Sequence, residues 1–246
     1  MLWYHPVERN KNMEKILLYG SGVPKTVTSA FSELRYCITQ IPRCKNIDAA
    51  VSTHPDMLFS VIGERSIVTD AEYFEENREF FSRLAEKGVS ITLSERKLAP
   101  KYPSDVLFDA IRTEKLLVGN LKHTAPELFA DNIKQINVKQ GYALCSTLLL
   151  SGAAVSADLG ICSALRENGY DVLQISAGGI LLDGYGYGFI GGASAVLERE
   201  KTVFFFGNVH AHPDGESIVR FCREKGYKIC CDENTPLTDL GGVKII

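Results

Sequence analysis

The chain has 246 residues, 45% of them hydrophobic and 23% charged, with a formal net charge of -3. This length suits one large or two small domains, and the composition excludes a disordered or fibrous class. The charge gives no electrostatic ground for a nucleic-acid partner.

The N-terminal MLWYHPVERNKNMEK lacks the apolar core of a signal peptide, and no run approaches the ~18 apolar residues of a membrane span, so a cytoplasmic protein without a membrane partner is expected. Residues 1–13 read as a tail. After it, EKILLYG reads as a strand and TVTSAFSELRYCI as a helix. DMLFSVIGERSIVTD has the pattern strand, tight turn, strand, and is followed by a helix with Tyr73, Phe80, Phe81 and Leu84 on one face. DVLFDAIRTEKLLVGN repeats the paired-strand pattern. A helix is then predicted from KHTAPELFADNIKQ, with Thr124 and Glu127 as a capping box around Pro126. YALCSTLLLSGAAVSAD and FIGGASAVLEREKTVFFFGN are two further strand pairs, followed by helices carrying Ala164 and Leu165, or Val219 and Phe221, on their apolar faces. LGGVKII reads as a last strand.

These elements repeat. RENGYDVLQI from Arg166 matches REKGYKICCD from Arg223 with an offset of 57, and AEKGVSITL from Ala85 is a third copy. Each copy ends its helix on a glycine, Gly88, Gly169 or Gly226, at the position that takes the left-handed conformation. Taking Leu58, Leu107, Cys145, Gly192 and Gly242 as equivalent gives steps of 49, 38, 47 and 50 residues. The chain thus divides into five strand-strand-helix-strand units within one domain, 14–246. The fifth unit is split, its first strand coming from the C-terminus and the rest from the N-terminus.

Five such units closed by pairing of the terminal strands resemble the pentein superfamily of guanidino-group-modifying proteins. The resemblance implies an α/β fold, a five-bladed α/β propeller of ββαβ units. It also implies a small-molecule ligand with a guanidino or amino group in a central pore, acted on by a hydrolase- or amidinotransferase-like reaction and requiring no cofactor. In the family's enzymes a thiolate attacks the guanidinium carbon, a histidine moves protons and carboxylates hold the cation. NVHAHPDGES is similar to the family's histidine-acid motif, with His212 and Asp214 as the pair and His210 nearby. DLGGVKII resembles its glycine-rich final strand, but Lys244 and Ile245 stand where the family has its catalytic cysteine. Two readings follow. Either Cys145 supplies the thiol from another unit and works with His212 and Asp214, or the ring is a binding module for a metabolite or a macromolecule.

Further residues bear on the site. His54 and Asp56, in THPDMLF, serve either as pore groups or as turn punctuation. His210 and His212 form an H-x-H without an evident third ligand, so no metal is expected. Asp183 and Asp239 sit beside glycine-rich segments and either hold a cation or cap turns. The stretch SAGGILLDGYGYGFIGGASAV holds seven glycines. It runs on into a strand and a charged hairpin, whereas a dinucleotide fingerprint opens a helix. Gly191 and Gly192 are therefore expected on a pore-facing strand, where the missing side chain admits a ligand or neighbouring backbone. The remaining cysteines, including the adjacent Cys230 and Cys231, show no CxxC or zinc-ligand spacing and read as packing residues.

Overall fold

The computed structural model describes residues 14–246, so the tail expected over 1–13 lies outside the described residues. In chain order the elements begin with β1 (Ile16–Tyr19), α1 (Lys25–Glu33) and β2 (Cys37–Gln40). The one-turn helix α2 (Pro55–Leu58) leads into β3 (Phe59–Gly63), β4 (Ser66–Thr69), α3 (Ala71–Glu76), α4 (Arg78–Glu86) and β5 (Ser90–Leu93). Next come β6 (Ile111–Arg112), β7 (Leu116–Gly119) and β8 (Lys134–Asn137), then β9 (Thr147–Leu150), β10 (Ala153–Ser156), α5 (Leu159–Arg166) and β11 (Asp171–Gln174). The last group is β12 (Ser194–Leu197), β13 (Thr202–Phe205), α6 (Gly215–Glu224), β14 (Lys228–Cys230) and β15 (Val243–Ile245).

The strands form five three-stranded sheets. In each, a first strand pairs antiparallel with a second, and a third lies parallel to the second. The split unit follows the same plan, with Leu17 opposite Ile245 across β1 and β15. The middle strands read ILLY, SIVT, LLVG, AAVS and TVFF and are almost wholly buried, as a strand covered on both faces must be. The third strands carry the polar residues of an exposed edge, as in KQIN and DVLQ.

Gly88, Gly169 and Gly226, which close α4, α5 and α6, have φ of 79°, 83° and 84°, as the repeat predicts. Tyr73, Phe81 and Leu84 are buried, but Asn77 leaves helical geometry and divides their helix into α3 and α4. The helix predicted from KHTAPELFADNIKQ does not form: only a 3-10 turn, Pro126–Leu128, is present. The supposed capping box is used elsewhere. Thr124 Oγ1 donates to Asn120 O, while the Glu127 carboxylate accepts from Ser94 Oγ and the Glu95 amide of the preceding unit.

First strands neighbour one another in the order β9, β12, β15, β3, β6. The position two residues ahead of each is Cys145, Gly192, Gly241, Met57 and Asp109. This corrects the repeat alignment at Leu58, Gly242 and above all Leu107, because DVLFDA is turn until Ile111. Likewise Cys145, Gly191 and Gly192, expected on strands, lie in the turns that enter them. No helix among the described residues is long and apolar enough to cross a membrane.

Candidate functional site

The turns ahead of the first strands are tied to one another through their backbones. The Ala143 amide donates to Asp109 O, the Gly192 amide to Cys145 O, the Leu240 and Gly242 amides to Gly192 O, and the Asp56 amide to Gly241 O. This lacing gathers His54, Asp56, Asp109, Cys145 and Asp239, all buried, from four units. The glycines make the close approach possible. A Cβ at Gly192 would overlap the Asp239 carboxylate, and one at Gly241, where φ is 77°, would overlap His54. Gly191 and Gly192 thus admit neighbouring groups: the carbonyls of Leu144, Cys145 and Thr147 crowd the first and Asp239 fills the space at the second.

Asp239 is the best-satisfied member of the cluster. Its Oδ2 accepts from the Phe189 amide at 2.8 Å and from Cys145 Sγ at 3.4 Å, and its Oδ1 from the Gly241 amide at 3.1 Å. His54 Nδ1 lies 3.7 Å from that Oδ1, beyond hydrogen-bond reach, and has no other partner among the described residues. Asp109 Oδ1 accepts from the Leu144 and Cys145 amides at 2.8 and 2.9 Å. Its Oδ2 and Asp56 Oδ1 accept nothing among the described residues. Asp56, Asp109 and Cys145 each place one carboxylate oxygen or the sulfur within 4.8 Å of the others.

Burial dominates the electrostatics. It pushes the Asp109 carboxyl well above the ordinary 3.8, Asp56 adds to the rise, and the two amides and Lys244 only partly oppose it. Asp239 is raised by burial too, with His54 and the amides opposing. The Cys145 thiol is driven well up by burial and by Asp239, Asp56 and Asp109, so it stands as a neutral SH. Lys244, the one buried lysine or arginine among the described residues, is lowered by burial while Asp56, Asp109 and Cys145 favour its charge. A cavity of about 390 Å³ opens beside this cluster. Asp56, Gly191 and Lys244 line it, and Lys15, Arg112, Glu198 and Arg199 also contribute to its wall.

The structure therefore brings together Cys145, His54, Asp56, Asp239, Gly191 and Gly192 of the sequence-derived set, and leaves His212, Asp214, His210 and Asp183 apart. His212 is buried beside Gly179, its Nδ1 accepts from the Asp214 amide at 3.0 Å, and burial lowers its basicity. Asp214 accepts from the Ser176 amide at 2.6 Å, which holds its carboxyl below the usual range. No hydrogen bond or ion pair among the described residues joins either to Cys145. His210 pairs with Glu216 through Nδ1 at 2.6 Å. Asp183 is exposed in a turn over 182–185 and does not line the cavity. Sequence reasoning missed Asp109 and Lys244 as site residues. Asp109 falls two residues ahead of its strand, like Cys145, and the correct register of the second unit would have marked it.

The N-terminal domain of ArgZ, an arginine dihydrolase from the ornithine-ammonia cycle in cyanobacteria, superimposes with a TM-score of 0.57 at 13% identity, over 94% of each chain. Inosamine-phosphate amidinotransferase StrB1 from Streptomyces griseus gives 0.55 at 11% identity, over 88% of this chain and 75% of its own. SxtG, an amidinotransferase from Microseira wollei in the saxitoxin biosynthetic pathway, gives 0.53 at 12%, over 84% and 73%. These proteins belong to the pentein superfamily, and the likeness is one of fold. No curated protein matches the sequence. A protein-family model described as "Family of unknown function (DUF6873)" matches residues 20–244. The chain is a member of that family, and its fold is that of the pentein proteins it superimposes on.

Proposed function

We propose that residues 14–246 are one domain whose five first strands close into a propeller-like ring, and that the central cavity takes a small molecule bearing a guanidino or amino cation. The observation that carries this reading is the pair of buried, unpartnered carboxylate oxygens, Asp56 Oδ1 and Asp109 Oδ2. A buried acceptor without a donor is costly, and a planar cation with several N–H groups satisfies two carboxylates through charge-assisted bonds. Asp56 lines the cavity and meets the ligand first, with Asp109 next to it. The buried cluster sets three carboxylates, Asp56, Asp109 and Asp239, beside Lys244, while Lys15, Arg112, Glu198 and Arg199 also line the cavity, so a cation would sit at its Asp56 end. The formal net charge of -3 supports a small-molecule partner over nucleic acid.

Titration calorimetry with guanidinium, agmatine, arginine and putrescine tests the reading. One or more should bind, and Asp56→Asn should weaken binding by about 30-fold or more, the ~2 kcal/mol lower end for removing one partner of a buried charged pair. Absence of binding across the panel, or undiminished binding by Asp56→Asn, sinks it.

A second reading, catalysis on that ligand, is favoured by the Cys145 Sγ contact to Asp239. Asp239 would take the thiol proton as sulfur attacks the guanidinium carbon. The tetrahedral adduct would then expel an amine that carries off a proton, and water or an acceptor amine would release the amidino group from sulfur. Ammonia, urea or an exchanged amidino group, formed by the wild type and lost in Cys145→Ser, is the expected result. If none is formed from a ligand that binds, the cavity is a binding site only.

A further inference from the structure

We propose that His210, Cys231 and Glu233 form a binding site for a thiophilic divalent metal, zinc by the chemistry of the ligands. The site is independent of the central cluster. One ligand atom from each residue lies within 4.8 Å of the other two. Tetrahedral zinc with bonds of about 2.0–2.3 Å sets its ligands about 3.3–3.8 Å apart. The three groups therefore need to close by at most about 1.5 Å, and His210 and Glu233, both exposed, have room to do so.

The surroundings are built for such a site. His210 sits in the 3-10 turn Val209–Ala211, with its amide donating to Asn208 Oδ1 at 3.0 Å. Its Nδ1 pairs with Glu216 Oε1 at 2.6 Å, and Nε2 has no hydrogen bond among the described residues, so ligation through Nε2 keeps that pair. A carboxylate behind a histidine in this way fixes the tautomer and strengthens the ring as a ligand. Cys231 directly follows β14 and is only partly buried, so its sulfur is within reach of solvent. Asn208 ties the two segments together: its Nδ2 donates to Glu233 O at 3.2 Å and its amide to Thr235 O at 2.8 Å.

Thiolate and imidazole select zinc and related transition metals over magnesium or calcium. On binding, the Cys231 thiol gives its proton to solvent. The thiolate and the Glu233 carboxylate then neutralise the dication, and water takes the fourth position. The site would clamp the start of the 231–239 segment, whose far end is Asp239 of the central cluster.

Cobalt titration of chelator-treated full-length protein tests the proposal. The wild type should bind one equivalent of Co²⁺ with a thiolate-to-cobalt charge-transfer band and tetrahedral ligand-field bands, and Zn²⁺ should displace it. Cys231→Ser and His210→Ala should abolish the band, while Cys145→Ser should keep it. Glu233→Gln, a change on an exposed side chain, should weaken binding at least tenfold and covers the case in which Cys231→Ser does not fold. A wild type without the band, a band surviving in Cys231→Ser, or unchanged cobalt affinity in Glu233→Gln overturns the proposal.

Discussion

Replacing Asp109 by asparagine isolates the cost of keeping a half-partnered carboxylate in the interior. The amide oxygen of the new side chain can still accept from the Leu144 and Cys145 amides, so the two bonds at 2.8 and 2.9 Å are retained. What disappears is a buried titratable carboxyl with one oxygen that has no partner among the described residues. An unsatisfied buried polar group costs about 1–3 kcal/mol, so ligand-free Asp109→Asn should be more stable than wild type by that order at pH 7. In a chain of this size that raises Tm by about 2–4 °C per kcal/mol. Asp109→Ala should go the other way, because it orphans two buried amides at about 1–3 kcal/mol each. The pH dependence supplies the sign. The folded Asp109 carboxyl titrates above its unfolded value of 3.8, so at intermediate pH the native state holds a proton that the unfolded state has lost. Wild-type stability from this group is full below 3.8 and is lost as pH rises through the folded pKa. The advantage of Asp109→Asn should therefore vanish near pH 3.8 and grow above it. Chemical denaturation of the three proteins across that range is the assay. A gap that does not change with pH, or an asparagine variant as destabilised as the alanine variant at pH 7, refutes the reasoning.

Gly169→Ala and Gly192→Ala separate backbone strain from collision. At Gly169, φ is 83° and an added Cβ meets nothing within 4 Å, so urea unfolding should show only the left-handed penalty of about 1–2 kcal/mol. Gly192→Ala drives a methyl into Asp239 and should cost about 3 kcal/mol or more. Combined with Asp239→Ala it should cost clearly less than the sum of the two single changes; strict additivity would place the strain elsewhere. Cys145, neutral and enclosed, should resist iodoacetamide at pH 8 while exposed Cys230 is alkylated, as mass spectrometry of peptides would show. Rapid modification of Cys145 in the folded protein would mean that its sulfur is neither buried nor protonated.

The repeat was legible because it is written in backbone chemistry. Gly88, Gly169 and Gly226 mark helix ends that a β-carbon resists, and the buried runs AAVS and TVFF mark middle strands. The third unit misled because Pro126 and Glu127 have the form of a helix start, yet Glu127 is committed to Ser94 and Glu95, a contact over thirty residues away that no local pattern reports. The site was half legible. Cys145, His54, Asp56 and Asp239 stand in the segments just ahead of first strands, where the repeat points. Asp109 escaped through a two-residue error in register, and Lys244 through its reading only as the substitute for a missing cysteine. His210 gained its partners Cys231 and Glu233 by tertiary contact between a 3-10 turn and the end of β14, which spacing along the chain does not encode.

The pairing of β1 with β15 has a consequence for when the site exists. Asp239, Gly241 and Lys244 lie in the stretch that reaches back to the first strand, so the cluster is completed only when the two ends of the described chain meet. Contacts of such long sequence separation form late in folding. A nascent or partly folded chain can therefore hold four finished sheets and still lack the completed cluster. Any cation that binds the pocket reports completion of the fold, and by mass action holds the ends together.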